Sequence, residues 1–552
     1  MNSSLSRRRR LDQILRFTQV AFDFDGMAKS NRFAARLLVI FLALAVIFIR
    51  MPVVFIHPGF WGEDGPLFFQ LSYLEGWASA TTETAGYLTL LQWLVGNLST
   101  YAPVSAAPAL FNAAAIALTL MVVWLVTSPR LPLPAKPLLA LAIVTVPVGY
   151  ELLGNLTNVQ WIVPIGAFSI LLMKPSKSAL ITTAEVAFVL AVSLTGPFSI
   201  LLLPICALQI FLSRDNAPAL QRILFLTAAV LIGAVVECGY LISSGTAGIA
   251  PNGVEHTESS WKFWLVLPLA RMMAPLGTGV LRGFGETITL MASLIVYATA
   301  AWFAPRMPYR TQKFAMLLFG LAIMGSGMLK YRDSLSVAGM RFFYIAAVFS
   351  IWFFCCAAES RKARAICACV VALAEFALVF GTANSPRVRE DSEWPTWSRA
   401  ISSGLPAKIP TAPKGWFVTL PADPNGPLAR FAAWQGKEIH QLDLTRNDAA
   451  CSGALDSAQS AIDVNGGPPQ WIVRGWAKPS DRQRAVLVIV MADLANRVLG
   501  FGFPGFANGE AGESGGWAGV VQNPVADIRA YAIISDGGAT LCGLSGPRST
   551  FH

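Results

Sequence analysis

Charge is scarce in this sequence. Only 13% of its 552 residues are charged, 54% are hydrophobic, and mean hydropathy is +0.54. A soluble domain carries roughly 25% charged residues, so this composition calls for a solvent other than water. Histidine is scarcer still, with four residues. A His-based catalytic centre therefore has few candidates, and only His57 and His256 fall in loops where acid–base work is plausible. Lys and Arg are missing altogether from residues 57–102, which instead hold Glu63, Asp64, Glu75 and Glu83. No convincing long internal repeat is present.

What is abundant is apolar residues in blocks of the length that crosses a hydrocarbon core of roughly 30 Å. Spans are predicted at 37–56, 103–126, 137–151, 161–173, 178–194, 197–213, 221–243, 285–304, 314–330, 342–358 and 364–382, about eleven in all. The net charge of +10 does not point to nucleic acid, because the excess sits in short loops and in a basic tail (Arg7 to Arg10, Arg16, Lys29, Arg32, Arg36). Between Leu11 and Phe24 apolar residues recur at helical spacing, as in an interfacial helix. Alternate loops hold Arg130 and Lys136; Lys174 and Lys177; Arg214 and Arg222; Arg306, Arg310 and Lys313; Arg361, Lys362 and Arg364. Positive charge stays on the cytoplasmic side, so the N-terminus is expected in the cytoplasm and the C-terminus outside. Thr195-Gly196-Pro197-Phe198 reads as a tight turn between two helices, with one long kinked helix as the alternative, because Pro197 breaks the hydrogen-bond ladder.

From about Asn384 the apolar blocks end and Pro, Gly, Asp and Trp increase. The expected organisation is a basic tail over 1–36, a helical membrane domain over 37–382 with a first outer loop at 57–102, a linker over 383–447, and a β domain over 448–552. Strands are expected at 471–473, 485–491, 497–503 and 529–534, with Asp536-Gly537 as a hairpin turn. This pattern suits a small sandwich or jelly roll. Cys451 and Cys542 lie in this outer domain, where an oxidising compartment permits a disulfide; two free thiols are the alternative. Cys206, Cys238, Cys355, Cys356, Cys367 and Cys369 lie in or beside spans and read as small apolar fillers. Trp471, Trp476 and Trp517 are either core residues or stacking surfaces for sugar rings.

The stretch richest in chemistry is Trp61-Gly62-Glu63-Asp64-Gly65, directly after the first span. Adjacent carboxylates there can act as a general base, as metal ligands, or as solvated loop charges. The 46-residue loop that holds them is long for a connector and contains two amphipathic segments, at 65–79 and 85–99. Glu185, Glu237 and Glu375 lie within apolar blocks, where charged groups face a bundle interior or a cavity.

The Trp61-x-Glu63-Asp64-Gly65 motif resembles the first periplasmic loop of GT-C-type glycosyltransferases, polytopic enzymes that use polyprenyl-phosphate sugars. Glu151-x-x-Gly154-Asn155-x-x-Asn158-x-Gln160-Trp161 resembles the polar second loop of bacterial members, and Thr195-Gly196-Pro197-Phe198 their third-loop turn. Arg341-Phe342-Phe343-Tyr344 resembles an Arg-Tyr-Phe-Tyr element opening a late span, with Phe342 in place of the first Tyr. The resemblance covers about residues 37–380. It implies a GT-C-like fold, a lipid-linked sugar donor, a glycan acceptor, and a first-loop carboxylate that deprotonates the acceptor hydroxyl, with inversion.

On this resemblance Asp64 is the first choice of base and Glu63 the second. The leaving phosphate would be met by Arg341, Arg271, Arg282, Lys330 and Arg332, since Arg can clamp phosphate oxygens with two hydrogen bonds. Trp61, Asn155, Asn158, Gln160, Trp161 and Tyr344 suit the hydroxyls and apolar faces of sugars. Glu63 and Asp64 could hold a divalent ion, but no further ligand set is visible. The expected fold class is thus an α-helical polytopic membrane protein with a C-terminal all-β periplasmic domain, placed in a bacterial inner membrane. Two other functions fit less well. A transporter or flippase of lipid-linked glycan needs polar residues through the full depth of the bundle, and an acyltransferase needs a nucleophile or a His-based centre.

Overall fold

The computed structural model describes residues 29–146, 151–244, 309–330, 338–357, 393–461, 463, 468–481, 483–508, 512–522, 528–535 and 539–545. These fall into two compact units. One draws on Met1–Phe55, Ala80–Leu94 and Ala113–Arg389, and the other on Ile56–Ser79, Val95–Asn112 and Glu390–His552. Residues Ile56–Ser79, expected as the start of a loop in a helical domain, therefore belong to the same unit as the C-terminal region.

The first unit is helical. Among the described residues three helices are long and apolar enough to cross a membrane: Asn31–Arg50, Ala217–Ser243, and Val104–Val126, whose first part belongs to the second unit. The first belongs to a longer helix that begins at Lys29, not at the expected residue 37. It ends before Pro52, as the missing amide of a proline requires. Shorter apolar helices run over Lys136–Thr145, Thr157–Leu172, Ala179–Ser193, Phe198–Ser213 and Arg341–Cys356. A ten-residue helix such as Lys136–Thr145 is only about 15 Å long at 1.5 Å per residue, half a hydrocarbon core. Eleven full-length crossings are therefore not what the described residues contain. The predicted spans at 285–304 and 364–382 lie outside the described residues, as does the interfacial helix at 11–24.

Side-chain patterns separate buried helices from surface ones. Every residue of Val163–Leu172 is buried, because a helix apolar all round must be covered on all sides. Helix Lys29–Arg50 instead turns Phe33, Leu37, Leu38, Phe41, Leu42, Phe48 and Ile49 outward, and Ala217–Ser243 does the same with Phe225, Ile232, Val235 and Ile242. The turn at Thr195-Gly196-Pro197 separates Ala179–Ser193 from Phe198–Ser213, with Gly196 at φ +92°. It is a helical hairpin, not one kinked helix.

Several charged groups among the described residues of the helical unit have polar or aromatic partners. Glu185 accepts from Arg222 Nε at 2.9 Å and from Arg130 Nη1. Arg222 also donates to the carbonyls of Met173 and Ile170, and Arg130 to that of Lys174. The Arg36 guanidinium lies 3.5 Å from the Trp124 ring centroid and donates to Trp124 O and Thr127 Oγ1. Arg50, only 5% exposed, donates to the carbonyls of Val144 and Val146. It thereby satisfies acceptors that the end of a helix leaves open.

The second unit is mainly β. Strands β1 (Ala407–Thr411) and β2 (Trp416–Leu420) form a hairpin. Strands β3 (Thr445–Arg446), β4 (Cys451–Ala461), β5 (Gln470–Pro479), β6 (Val486–Ala492), β7 (Val498–Asn508), β8 (Gly512–Gln522), β9 (Arg529–Ser535) and β10 (Ala539–Gly543) form one sheet. Its order is β3-β10-β9-β6-β7-β8-β5-β4, antiparallel except at β3–β10. This corrects the expected two-sheet sandwich or jelly roll. The sheet curls so that its ends meet: Leu455 N donates to Ser545 O and Ser545 N to Gly453 O. Bulges in β4, β6 and β7 add the local bend such curling needs.

Cys451 and Cys542 form a disulfide across this closure, with Cα atoms 6.1 Å apart; Cys206, Cys238, Cys355 and Cys356 are free thiols. Nearby, Asp448 accepts from Arg446 and from Gly543 N, and the Arg446 guanidinium holds the Asp448 carboxyl below the usual carboxylate range. The curled sheet encloses Leu455, Val473, Ile489, Met491, Trp517, Val521 and Ile534. Trp517 is a core residue: a Cβ on Gly475 would stand 2.6 Å from its ring, so glycine is what lets the indole lie on β5. Residues 393–447, expected as linker, are folded, with helix Trp394–Ser403 setting Trp397 on Phe506 at 4.9 Å between ring centroids. The Asp536-Gly537 turn lies outside the described residues, but the flanking β9 and β10 pair antiparallel, Ser535 opposite Ala539.

Candidate functional site

The acidic pair sits in a tightly held turn of the second unit. Trp61 forms a parallel bridge with Ala412, and Gly62 N donates to Ala412 O at 2.7 Å. Gly62 adopts φ +55°, which favours glycine, and starts a 3₁₀ turn over Gly62–Asp64. A π-helical segment, Gly65–Phe69, follows directly. Gly65 cannot carry a side chain, because a Cβ there would approach Val418 Cγ2 to 2.8 Å. Phe60 packs against Phe69, Phe111 and Trp394 at 4.7–5.1 Å between centroids. Gln70 Oε1 accepts from Thr419 N at 2.6 Å.

In this frame Asp64 is fully buried and Trp61 is buried, while Glu63 is half-buried. The expected amphipathic segment 65–79 is broken into a π turn, a short helix over Gln70–Glu75, and a 3₁₀ run from Gly76. Gly76, at φ +59°, ends that short helix. His57 is exposed. Among the described residues no group of three His, Cys, Asp or Glu side chains is placed to hold a metal ion.

The second polar group lies in the helical unit, in residues 151–161 and what surrounds them. Asn155 and Asn158 both donate to Glu151 O, and Asn158 N donates to Asn155 Oδ1 at 2.9 Å. Arg341 Nη1 lies 3.8 Å from Glu151 Oε2, and its guanidinium 5.4 Å from the Phe342 ring centroid. The Trp161 indole meets Phe198 and Phe342 edge-on at 5.1 and 5.0 Å. Gln160 Oε1 lies against Gly196, 3.1 Å from where a Cβ would stand. Gln92 Nε2 donates to Thr157 O at 3.3 Å.

Four buried polar atoms here have no hydrogen-bond partner: Gln92 Oε1, Asn158 Oδ1, Gln160 Oε1 and Trp161 Nε1. Leaving such groups unmet costs about 1–3 kcal/mol each, so a cluster of them is unusual without a ligand or ordered water to meet them. Asn158 and Gln92 are 1% and 0% exposed; they are interior residues rather than surface polar ones. Glu237, also buried, accepts from Leu88 N at 3.1 Å in the same unit.

Not every expected residue joins this group. The Tyr344 hydroxyl donates to Ile143 O at 2.5 Å and the side chain is buried, so its proton is committed to a helix carbonyl. Glu185 is committed to its two arginines. Lys330 ends the helix Arg310–Lys330. Arg271, Arg282, Arg332, His256 and Glu375 lie outside the described residues. Gln92 was not singled out from the sequence; an amide flanked by Leu91 and Trp93 in the apolar helix Leu90–Ser99 is the signal that marks it.

No known family, curated protein or solved structure matches this chain.

Proposed function

We propose that this chain is a membrane-embedded glycosyltransferase that moves one sugar from a polyprenyl-phosphate carrier to an envelope glycan outside the cytoplasm. Membrane embedding is supported by the outward Phe and Leu rows of Lys29–Arg50 and the similar face of Ala217–Ser243. Such continuous apolar surface is rare on a water-soluble monomer. The orientation is supported by the two ends of helix Ala179–Ser193. Arg130, Arg222 and Lys174 gather on the side of its start, and the Thr195 turn with Gln160 of the 151–161 cluster lies at its end. Basic residues stay in the cytoplasm, which supports an outward-facing polar cluster; a disulfide in the β unit suits an oxidising compartment.

The observation that carries the sugar assignment is the set of unpartnered buried groups on Gln92, Asn158, Gln160 and Trp161 beside Arg341. Amide and indole groups match hydroxyls that both donate and accept, and Arg341, 27% exposed and held by Glu151 only at 3.8 Å, has donors left for phosphate. Asn155 sets the loop that presents them. By its resemblance to a first-loop motif, the Trp61–Gly65 stretch supports Asp64 as general base, with Glu63 as the second choice. The acceptor hydroxyl loses its proton to the carboxylate as its oxygen bonds to the anomeric carbon. The bond from that carbon to the phosphate oxygen breaks, and the electron pair leaves with the phosphate.

The test is removal of the gene and mass spectrometry of the envelope glycans. One sugar residue should disappear, return with the wild-type gene, and stay absent with Asp64→Asn at equal protein level. Unchanged glycans after deletion, or full restoration by Asp64→Asn, would overturn the assignment.

A further inference from the structure

The β unit contains a cleft that none of the roles above uses. It has a volume of about 160 Å³ and lies between hairpin β1–β2 and the face of β5, β7 and β8 opposite the enclosed core. Strand alternation puts Phe501 and Phe503 of β7 on this face, with Val520 and Gln522 of β8, and Leu499, at a bulge, borders both the cleft and the core. Gln470 stands directly opposite Gln522 in the ladder and shares that face. Lys408 and Thr419 reach the cleft from the hairpin, and Gln435 completes the rim.

The floor is apolar, with Phe501 and Phe503 buried, and one polar group is buried within it. Gln470 is 0% exposed. Its Nε2 donates to Pro468 O at 2.6 Å, while its Oε1 accepts no hydrogen bond. A buried amide oxygen without a donor, lining a cleft, is an open request for an O–H or N–H group. Lys408 is the one charged side chain in the lining, and it pairs with Asp463 Oδ2 at 2.9 Å. The cleft therefore offers no uncompensated charge.

We propose that this cleft binds a single neutral sugar residue. The three glutamines Gln435, Gln470 and Gln522 can give and take hydrogen bonds around a polyhydroxyl ring. Phe501 and Phe503 offer an apolar surface to its C–H face. A phosphate would need a cation not already matched by a carboxylate. A peptide strand would need a free sheet edge, and β5, β7 and β8 are all interior strands. A lipid chain would need a longer slot, since the volume is well below the roughly 300–1,000 Å³ of sites for larger ligands. The hairpin that lines the cleft also supplies Thr411 and Val418, which pack on Gly65 next to Asp64. A glycan held here would be held by the element that braces the acidic turn.

The test uses the full-length protein in detergent and saturation-transfer NMR with the methyl glycosides of glucose, galactose, mannose and rhamnose. At least one glycoside should receive saturation. Gln470→Leu and the rim variant Gln522→Ala should each weaken its binding by roughly five- to tenfold, the loss of one or two hydrogen bonds. The disulfide and the thermal midpoint of Gln522→Ala should be unchanged, so this variant decides the matter if Gln470→Leu fails to fold. Absence of transfer to all four glycosides, or wild-type binding in Gln522→Ala, would overturn the proposal. Asp64→Asn should bind the glycoside as wild type does, so loss of sugar transfer and loss of this cleft are separable results.

Discussion

At the scale of single residues, burial divides the acidic groups by role. Glu185 lies in an apolar block, where a charged group is costly unless matched, and it meets two guanidiniums. Within this trio Glu185 and Arg222 are each 6% exposed, and Arg130 is 22% exposed. Glu185→Ala would leave Arg222 in the interior without its counter-charge, a loss of about 3–5 kcal/mol by analogy with other buried pairs. Thermal unfolding in detergent should show a clearly lowered midpoint, and an unchanged midpoint would mean that the pair does not hold the helices. Asp64 differs in that Gly62 and Gly65 fix its turn. The apolar helix that precedes it was legible in the sequence, as was the run of amides at 155–160. What the sequence could not reveal was that the Tyr344 hydroxyl is taken by a carbonyl, or that Gln92 approaches Thr157. Those contacts join residues 201 and 65 positions apart, and no local pattern encodes them.

At the scale of elements, helices were easier to read than strands. Long apolar runs with Pro or Gly at their ends gave boundaries close to those observed for Phe198–Ser213, because the signal is local. β4 and β8 were missed: CSGALDSAQSA and GESGGWAGVVQ are rich in Ala, Gly and Ser, which have low strand propensity. They pair because the neighbouring ladder and the Trp517 ring require small residues, a tertiary demand that overrides propensity. The same small residues let one sheet curl around its own core, which is why the sandwich expectation failed. The Cys451–Cys542 bond staples that curl across 91 residues. The chain-entropy account assigns a loop of that size about 4–5 kcal/mol. Replacing both cysteines with Ser should lower the urea midpoint of the β unit's transition, read by tryptophan fluorescence, with the slope little changed. An equal midpoint would show that the closure is held by the ladder alone.

At the scale of the whole molecule, the division into units was the least legible feature. Composition separates an apolar region from a polar one near Asn384, and that contrast is real. It conceals that residues 56–79 fold with the C-terminal region, through Ala412, Val418 and Thr419. Gln70 and Thr419 are 349 positions apart, and a contact of that span leaves no trace in a local pattern. Among the described residues three helices have the length and hydropathy of a crossing, and the others are shorter. A short helix buried on all sides, such as Val163–Leu172, has the same hydropathy as a bilayer crossing, and only length and exposure tell them apart.

The most direct test of the account is transfer by the purified full-length protein in liposomes, supplied with radiolabelled polyprenyl-phosphate sugars and the envelope glycan of a deletion strain. The account predicts that one labelled sugar moves to the glycan and that Asp64→Asn, equally folded, transfers none. Transfer at the wild-type rate by Asp64→Asn, or no transfer by the wild type from any polyprenyl-phosphate sugar, would contradict it.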